Sequence, residues 1–140
     1  MMRVVVDASV AIKWLLPARH DEQDWERALD LLQRVKAEQV TLVQPPHWLA
    51  EVAAVVTRLS PATALEDIAD LHAMDIPIVQ SADVYLTACR LSRALGHHLF
   101  DTLYHAVALS VDGAVLVTAD ERYYAKASRR GSVVLLRDFW

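Results

Sequence analysis

The sequence predicts an α/β fold in which helices cover both faces of a central, mainly parallel five-stranded sheet. Three observations predict it. Short β-branched runs recur along the chain without polar alternation, as strands buried on both faces require. Segments of helical periodicity separate those runs, the pattern of parallel strands joined by helical crossovers. Hydrophobic residues make up 54% of the 140, enough for one substantial core, so residues 1–140 read as one domain.

The strand candidates are residues 3–6, 40–43, 76–79, 114–118 and 133–136. The first helical pattern to stand out covers 21–38, with Trp25, Ala28, Leu29, Leu32 and Val35 on one face. Pro45-Pro46 suits a helix start, and that helix runs through Arg58. Ser60-Pro61 ends it and opens the next, out to about Met74. Ser81 caps a helix that reaches Gly96, and Gly131 closes the one after Asp120.

Composition narrows the functional classes. Three glycines and five prolines leave no linker, repeat or low-complexity tract. A single cysteine, Cys89, rules out an internal disulfide and suits a reducing cytoplasm. Met1-Met2-Arg3 precedes an apolar stretch, but Asp7 and Lys13 interrupt it and no cleavage signal follows. No uncharged run approaches the roughly 18 residues of a membrane span. The net charge of −4 argues against nucleic acid only weakly, because two divalent cations would bring the sum to zero.

Four carboxylates carry the chemistry. Asp7 ends Val4-Val5-Val6, Glu51 interrupts an apolar helix, Asp101 opens another, and Asp120 follows Val117-Thr118-Ala119. A buried ionised acid without a partner is strongly disfavoured, so acids in such settings are paired or bind metal. Asp7 and Asp120 each lie just beyond the carboxyl end of a predicted strand. In open parallel sheets that end, at the switch in strand order, is where sites form. Taken singly, Asp7, Asp101 and Asp120 also fit as helix N-caps, and Glu51 as a boundary residue paired with Arg58. Separations of 44, 50 and 19 residues mean that only the tertiary fold can assemble them.

The residues around these acids resemble the motifs of the PIN-domain ribonucleases, especially the VapC-type toxins of toxin–antitoxin pairs. Val4-Val5-Val6-Asp7-Ala8-Ser9-Val10 is similar to the first family motif, and Glu51-Val52-Ala53-Ala54-Val55 to the second. Phe100-Asp101-Thr102-Leu103-Tyr104 resembles the third, usually Tyr-Asp-Ala, and Thr118-Ala119-Asp120 the fourth. The resemblance spans nearly the whole chain, in order. It implies a PIN-like three-layer α/β/α domain and a metal-dependent endoribonuclease that leaves a 5′-phosphate and a 3′-hydroxyl. Asp7, Glu51, Asp101 and Asp120 would hold one or two Mg²⁺ or Mn²⁺ ions, hard cations that prefer carboxylate oxygen. Asp7 and Asp101 stand out as direct ligands, and Ser9 and Thr118 as hydroxyls fixing carboxylate rotamers. The resemblance further implies an RNA substrate, a homodimer, a cytoplasmic setting and a small VapB-type antitoxin, docked near Trp14 and the 21–38 helix.

Other residues have weaker claims. Asp101, His105, Ala108 and Asp112 fall on one helical stripe, so His105 could bond Asp101 or a substrate phosphate. His72 continues the Leu65 and Ile68 face as a core or boundary residue, and His97-His98 reads as solvated loop. Arg122, Lys126, Arg129 and Arg130 form a basic face that could follow an RNA backbone, or simply complement a helix end. Trp14, Trp25 and Trp48 read as core or interface anchors. Two other classes that place an Asp after the first strand lack a required acid. An Asp-nucleophile phosphatase needs a second acid where Ser9 stands, and a phospho-receiver needs an acceptor Asp that Val79-Gln80-Ser81 does not offer. A PIN-fold nuclease outside toxin–antitoxin systems, or a non-catalytic PIN-fold docking module, remains.

Overall fold

The computed structural model describes residues 2–16 and 24–139. Four strands form the sheet: β1 (Met2–Val6), β2 (Val40–Leu42), β3 (Ala114–Thr118) and β4 (Val133–Leu135), in the order β2-β1-β3-β4 and all parallel. Around it lie α1 (Ala8–Leu15), α2 (Trp25–Lys36), α3 (Trp48–Leu59), α4 (Ala64–Ala73), α5 (Ala82–Leu95), α6 (Leu99–Ser110) and α7 (Glu121–Ala127). Val4, Val5, Val6 and Val117 are wholly buried, which is why these strands show no alternation. Chain order leaves β1 in both directions, to β2 on one side and β3 on the other. The switch point therefore lies at the carboxyl ends of β1 and β3.

The sheet has four strands where five were expected, and the missing one is 76–79. That segment makes only a single parallel bridge, Gln44 to Ile78. Gln44 N donates to Pro77 O at 3.0 Å, and Val79 N donates to Gln44 O at 2.9 Å. Prolines stop the ladder on both sides. One step back, residue 77 would have to donate to Leu42; one step forward, residue 46 would have to donate to Val79. Both are prolines and have no N–H.

Gln44 also completes the other edge. β2 ends at Leu42 while β1 runs on to Val6. The buried Gln44 amide fills the gap: its Oε1 accepts from Val6 N at 2.8 Å, and its Nε2 donates to Val6 O at 3.0 Å. A side chain thus supplies the donor–acceptor pair that a further strand residue would have offered.

Several helical faces are rotated from those expected. In α2 the buried residues are Ala28 and Leu31, with Leu32 and Val35 only partly covered. Residues 21–23 of the expected helix lie outside the described residues. In α3, where the sequence predicts a stripe of Trp48, Val52, Val55 and Leu59, the buried residues are Trp48, Val52 and Val56, and Leu59 is exposed. In α4 the core takes Ala64 and Leu71, which leaves Leu65 90% exposed and His72 in solvent rather than at a boundary. Trp14 and Trp48 are core residues. Trp14 Nε1 donates to Ala28 O at 2.8 Å, tying α1 to α2. It is buried there and cannot serve as an exposed anchor for a partner. Among the described residues, no helix is long and apolar enough to cross a membrane.

Candidate metal centre

Local structure accounts for where each acid stands. Asp7 N donates to Val117 O at 3.0 Å, so β1–β3 pairing continues one residue past the strand. The Asp7 side chain then caps α1 by accepting from Ser9 N at 3.1 Å. Asp120 caps α7 in the same way, accepting from Tyr123 N at 3.0 Å. Ser9 Oγ accepts from Ala119 N at 3.1 Å, and Thr118 Oγ1 from Asp120 N at 3.0 Å. Ser9 thereby ties the β1 exit to the β3 exit, and Thr118 fixes the turn that follows β3. Capping and clustering are therefore compatible: the cap bonds fix the very carboxylates that the sheet edge brings close.

Glu51 lies in the first turn of α3, and its partners are aromatic rather than Arg58. Tyr104 Oη donates to Glu51 Oε1 at 2.8 Å, and His47 Nε2 stands 3.3 Å from the same oxygen. His47 Nε2 also donates to Phe100 O at 2.7 Å. Both partners only accept, so we assign the His47 proton to Nε2. Burial pushes the Glu51 carboxyl up, but the bonds from His47 and Tyr104 outweigh it and hold the group below its ordinary range. Glu51 is thus kept ionised.

Asp101 occupies the first turn of α6 but does not cap it; His98 does, its ring accepting from Phe100 N at 3.0 Å. Asp101 Oδ2 instead meets His97 Nε2 at 2.8 Å. Lys126 Nζ donates to Gly96 O at 3.1 Å and lies 3.3 Å from His97 Nδ1. An ammonium has donors only, so Nδ1 must accept and Nε2 must carry the proton towards Asp101. One ligand atom from each of His97, Asp101 and Asp120 lies within 4.8 Å of the others. The Lys126 contact nevertheless makes His97 a better orienter of Asp101 than a third ligand.

Electrostatics joins the remaining acids to this group. Burial raises the Asp7 carboxyl from 3.8 to about 6; hydrogen bonds from Ser9 oppose the rise, and the charges of Asp101 and Glu51 add to it. The Tyr104 hydroxyl is pushed well up by burial and by Glu51, Asp7 and Asp101, so it stays a donor. Tyr123 is raised by burial and by Asp101 and Asp7. Asp101 thus links the two groups: it lies close to Asp120, and its charge, with that of Glu51, acts on Asp7. A cluster of carboxylate oxygens in mutual repulsion fits a hard divalent cation by donor chemistry. Beside Asp120, a cavity of about 390 Å³ is lined by Lys13, Glu121 and Arg137 among others.

Not every candidate converges. His105 is fully buried: Nδ1 bonds Tyr123 Oη at 2.8 Å and Nε2 bonds Gly131 O at 2.8 Å. Burial holds its pKa below the ordinary value. It braces α6 against α7 and the Gly131 turn and is out of reach of an RNA backbone. Asp112 lies beyond α6, which ends at Ser110. Arg122, Arg129 and Arg130 are exposed, whereas Lys126 is turned onto His97. The residues missed from sequence are His97, Tyr104, His47 and Gln44. Tyr104 stands three residues after Asp101, on the same helix face, a spacing that could have marked it. His97 stands four before it, outside the helix, where periodicity gives no signal.

The sequence matches the PIN domain family over residues 4–129. The chain belongs to that family. No curated protein matches it. PIN domains are generally metal-dependent nucleases, and the acidic cluster of this PIN domain is compatible with a divalent ion.

Proposed function

We propose that this PIN domain, taking residues 1–140 as one unit, is a Mg²⁺- or Mn²⁺-dependent endoribonuclease. We further propose that it is the toxin of a VapBC-type pair, active in the cytoplasm as a homodimer and restrained by a small VapB-type antitoxin. The observation that supports the nuclease reading is the gathering of carboxylates beside the exits of β1 and β3: Asp101 and Asp120 offer oxygens within 4.8 Å of each other, and the charges of Asp101 and Glu51 act on the buried Asp7. Asp7, Glu51, Asp101 and Asp120 would hold one or two ions. When bound, such an ion supplies charge neutralisation at phosphorus and a lowered pKa for an attacking water. The protein's own work is positional. Tyr104 and His47 hold Glu51 ionised, His97 orients Asp101 through Nε2–H, and Ser9 and Thr118 fix the turn that carries Asp120. Arg122, Arg129 and Arg130 would follow the RNA backbone, with Lys126 extending that charge to the cluster.

The experiment that tests the activity maps RNA ends across total RNA after induction, with Asp101→Asn as control and EDTA as a second arm. New ends are expected in the wild type alone. Identical RNA from wild type and Asp101→Asn would sink the nuclease reading. A monomer by light scattering, or no adjacent gene for a small DNA-binding protein, would count against the toxin assignment.

The role given to His97 makes a separate prediction. Removing an outer-shell partner of a metal-binding carboxylate typically costs about 10–100-fold in affinity. Titrating Mn²⁺ calorimetrically, His97→Ala should weaken binding by about tenfold, and His97→Gln, which keeps a donor, by less. Equal loss in both variants would make His97 a direct ligand instead.

A further inference from the structure

Phe100 is half exposed, although it sits in an otherwise well-buried helix and immediately precedes Asp101. Its exposure is not that of a loose side chain. The His98 ring packs edge-on against it at 4.8 Å, and the His47 ring lies tilted against it at 5.3 Å. His47 is itself wedged on Tyr104 at 4.7 Å and fastened by its bond to Phe100 O. Its Nδ1 is buried with no hydrogen-bond partner, so the ring is held by packing on that side. Phe100 is therefore a braced aromatic surface, open to solvent, one residue from Asp101 and linked through His47 to Glu51.

We infer that Phe100, backed by His47 and His98, is a stacking platform for one unpaired nucleobase beside the bond that is cut. This rests on the nuclease reading and adds to it a residue that sets where a strand is held relative to the acids. The link to the acids is direct: the His47 ring that packs on Phe100 also stands 3.3 Å from Glu51 Oε1 through its Nε2. Every base has a π-face, and stacking on an exposed aromatic is the usual way in which splayed-out bases are held. A base inside a duplex is stacked on its neighbours and presents no free face to Phe100.

The test uses a synthetic oligoribonucleotide spanning a mapped cut, its duplex, and copies with an abasic residue at each nucleotide flanking the cut. Wild type should cleave the intact single strand, leave the duplex uncut, and lose about 5- to 150-fold in kcat/KM on one abasic copy, the range of a single stacked base. Phe100→Ala should show that loss on the intact strand and no further loss on the abasic one, while Phe100→Trp keeps the wild-type pattern. A 2-aminopurine at the same position should be quenched on binding to wild type and not to Phe100→Ala, whether or not cleavage follows. If wild type cleaves intact and abasic strands equally, the platform is wrong and the nuclease stands. If the purified protein leaves the strand with the mapped cut intact but quenching depends on Phe100, the platform stands and the nuclease reading falls. A Phe100→Ala protein that changes only its oligomeric state would show a protein contact instead and overturn the proposal.

Discussion

Replacing Asp7 by asparagine is expected to abolish RNA cleavage and, in the same protein, to raise the stability of the metal-free fold at neutral pH. The Asp7 carboxyl is raised from 3.8 to about 6 by burial and by its acidic neighbours. A group raised on folding favours the native state while protonated. Its contribution is complete below about pH 3.8 and is lost as the pH climbs through about 6. At pH 7 the charged side chain therefore costs up to about 2–3 kcal/mol, at 1.36 kcal/mol per unit. Asparagine removes that charge and remains a good N-cap for α1. Urea melts in EDTA should show Asp7→Asn gaining on wild type between pH 4 and pH 7. Mn²⁺ should then stabilise wild type and leave the variant largely unmoved, because a ligand stabilises only the state that binds it. A variant less stable than wild type at pH 7 without metal would refute the account of Asp7.

The largest loss of stability is expected at a residue with no catalytic role. Gln44→Leu strands the N–H and C=O of Val6, both satisfied by the buried Gln44 amide. Leaving a buried polar group unpaired costs about 1–3 kcal/mol, so the pair should cost about 2–6 kcal/mol. Val6 directly precedes Asp7, so Mn²⁺-induced stabilisation should shrink as well. Gln80→Leu, at an exposed position, is the control and should be close to neutral. If both variants melt alike, the strand-completing role of Gln44 is wrong.

These two residues show where sequence reading succeeds and fails. Asp7 was legible because an ionised acid at the end of three valines conflicts with its surroundings, and such conflicts mark sites. Gln44 was not, because a polar residue beside Pro45-Pro46 looks like ordinary loop. Its role depends on β1 being longer than β2, which only the register discloses. The fifth strand failed for a related reason. Residues 76–79 have strand-like composition, but a ladder needs donors on both chains, and Pro77 and Pro46 remove them on either side of the Gln44–Ile78 bridge. Helical faces drifted by a residue because periodicity identifies an apolar stripe without saying which edge the sheet will cover.

The cluster divides in the same way. Composition and spacing picked out Asp7, Glu51, Asp101 and Asp120, and treated capping as a rival explanation. In the structure Asp7 and Asp120 cap helices and also stand at the shared β1–β3 exit, so the rivalry dissolves. His97 and His105 exchanged roles. His105 has helical spacing from Asp101 but turns inward to Tyr123 and Gly131, while His97, in the turn before α6, meets Asp101.

By itself the sequence determined the fold class and the caps at Asp7, Ser81 and Asp120, and singled out the four acids as candidates, because burial patterns, turn residues and misplaced charges are local properties. Only the tertiary structure decided which groups meet: Tyr104 and His47 on Glu51, His97 and Lys126 behind Asp101, Gln44 on Val6, and Phe100 braced in the open. Those contacts join residues up to 53 positions apart. Their geometry depends on strand order, register and the rotation of each helix against the sheet, none of which a local pattern can specify.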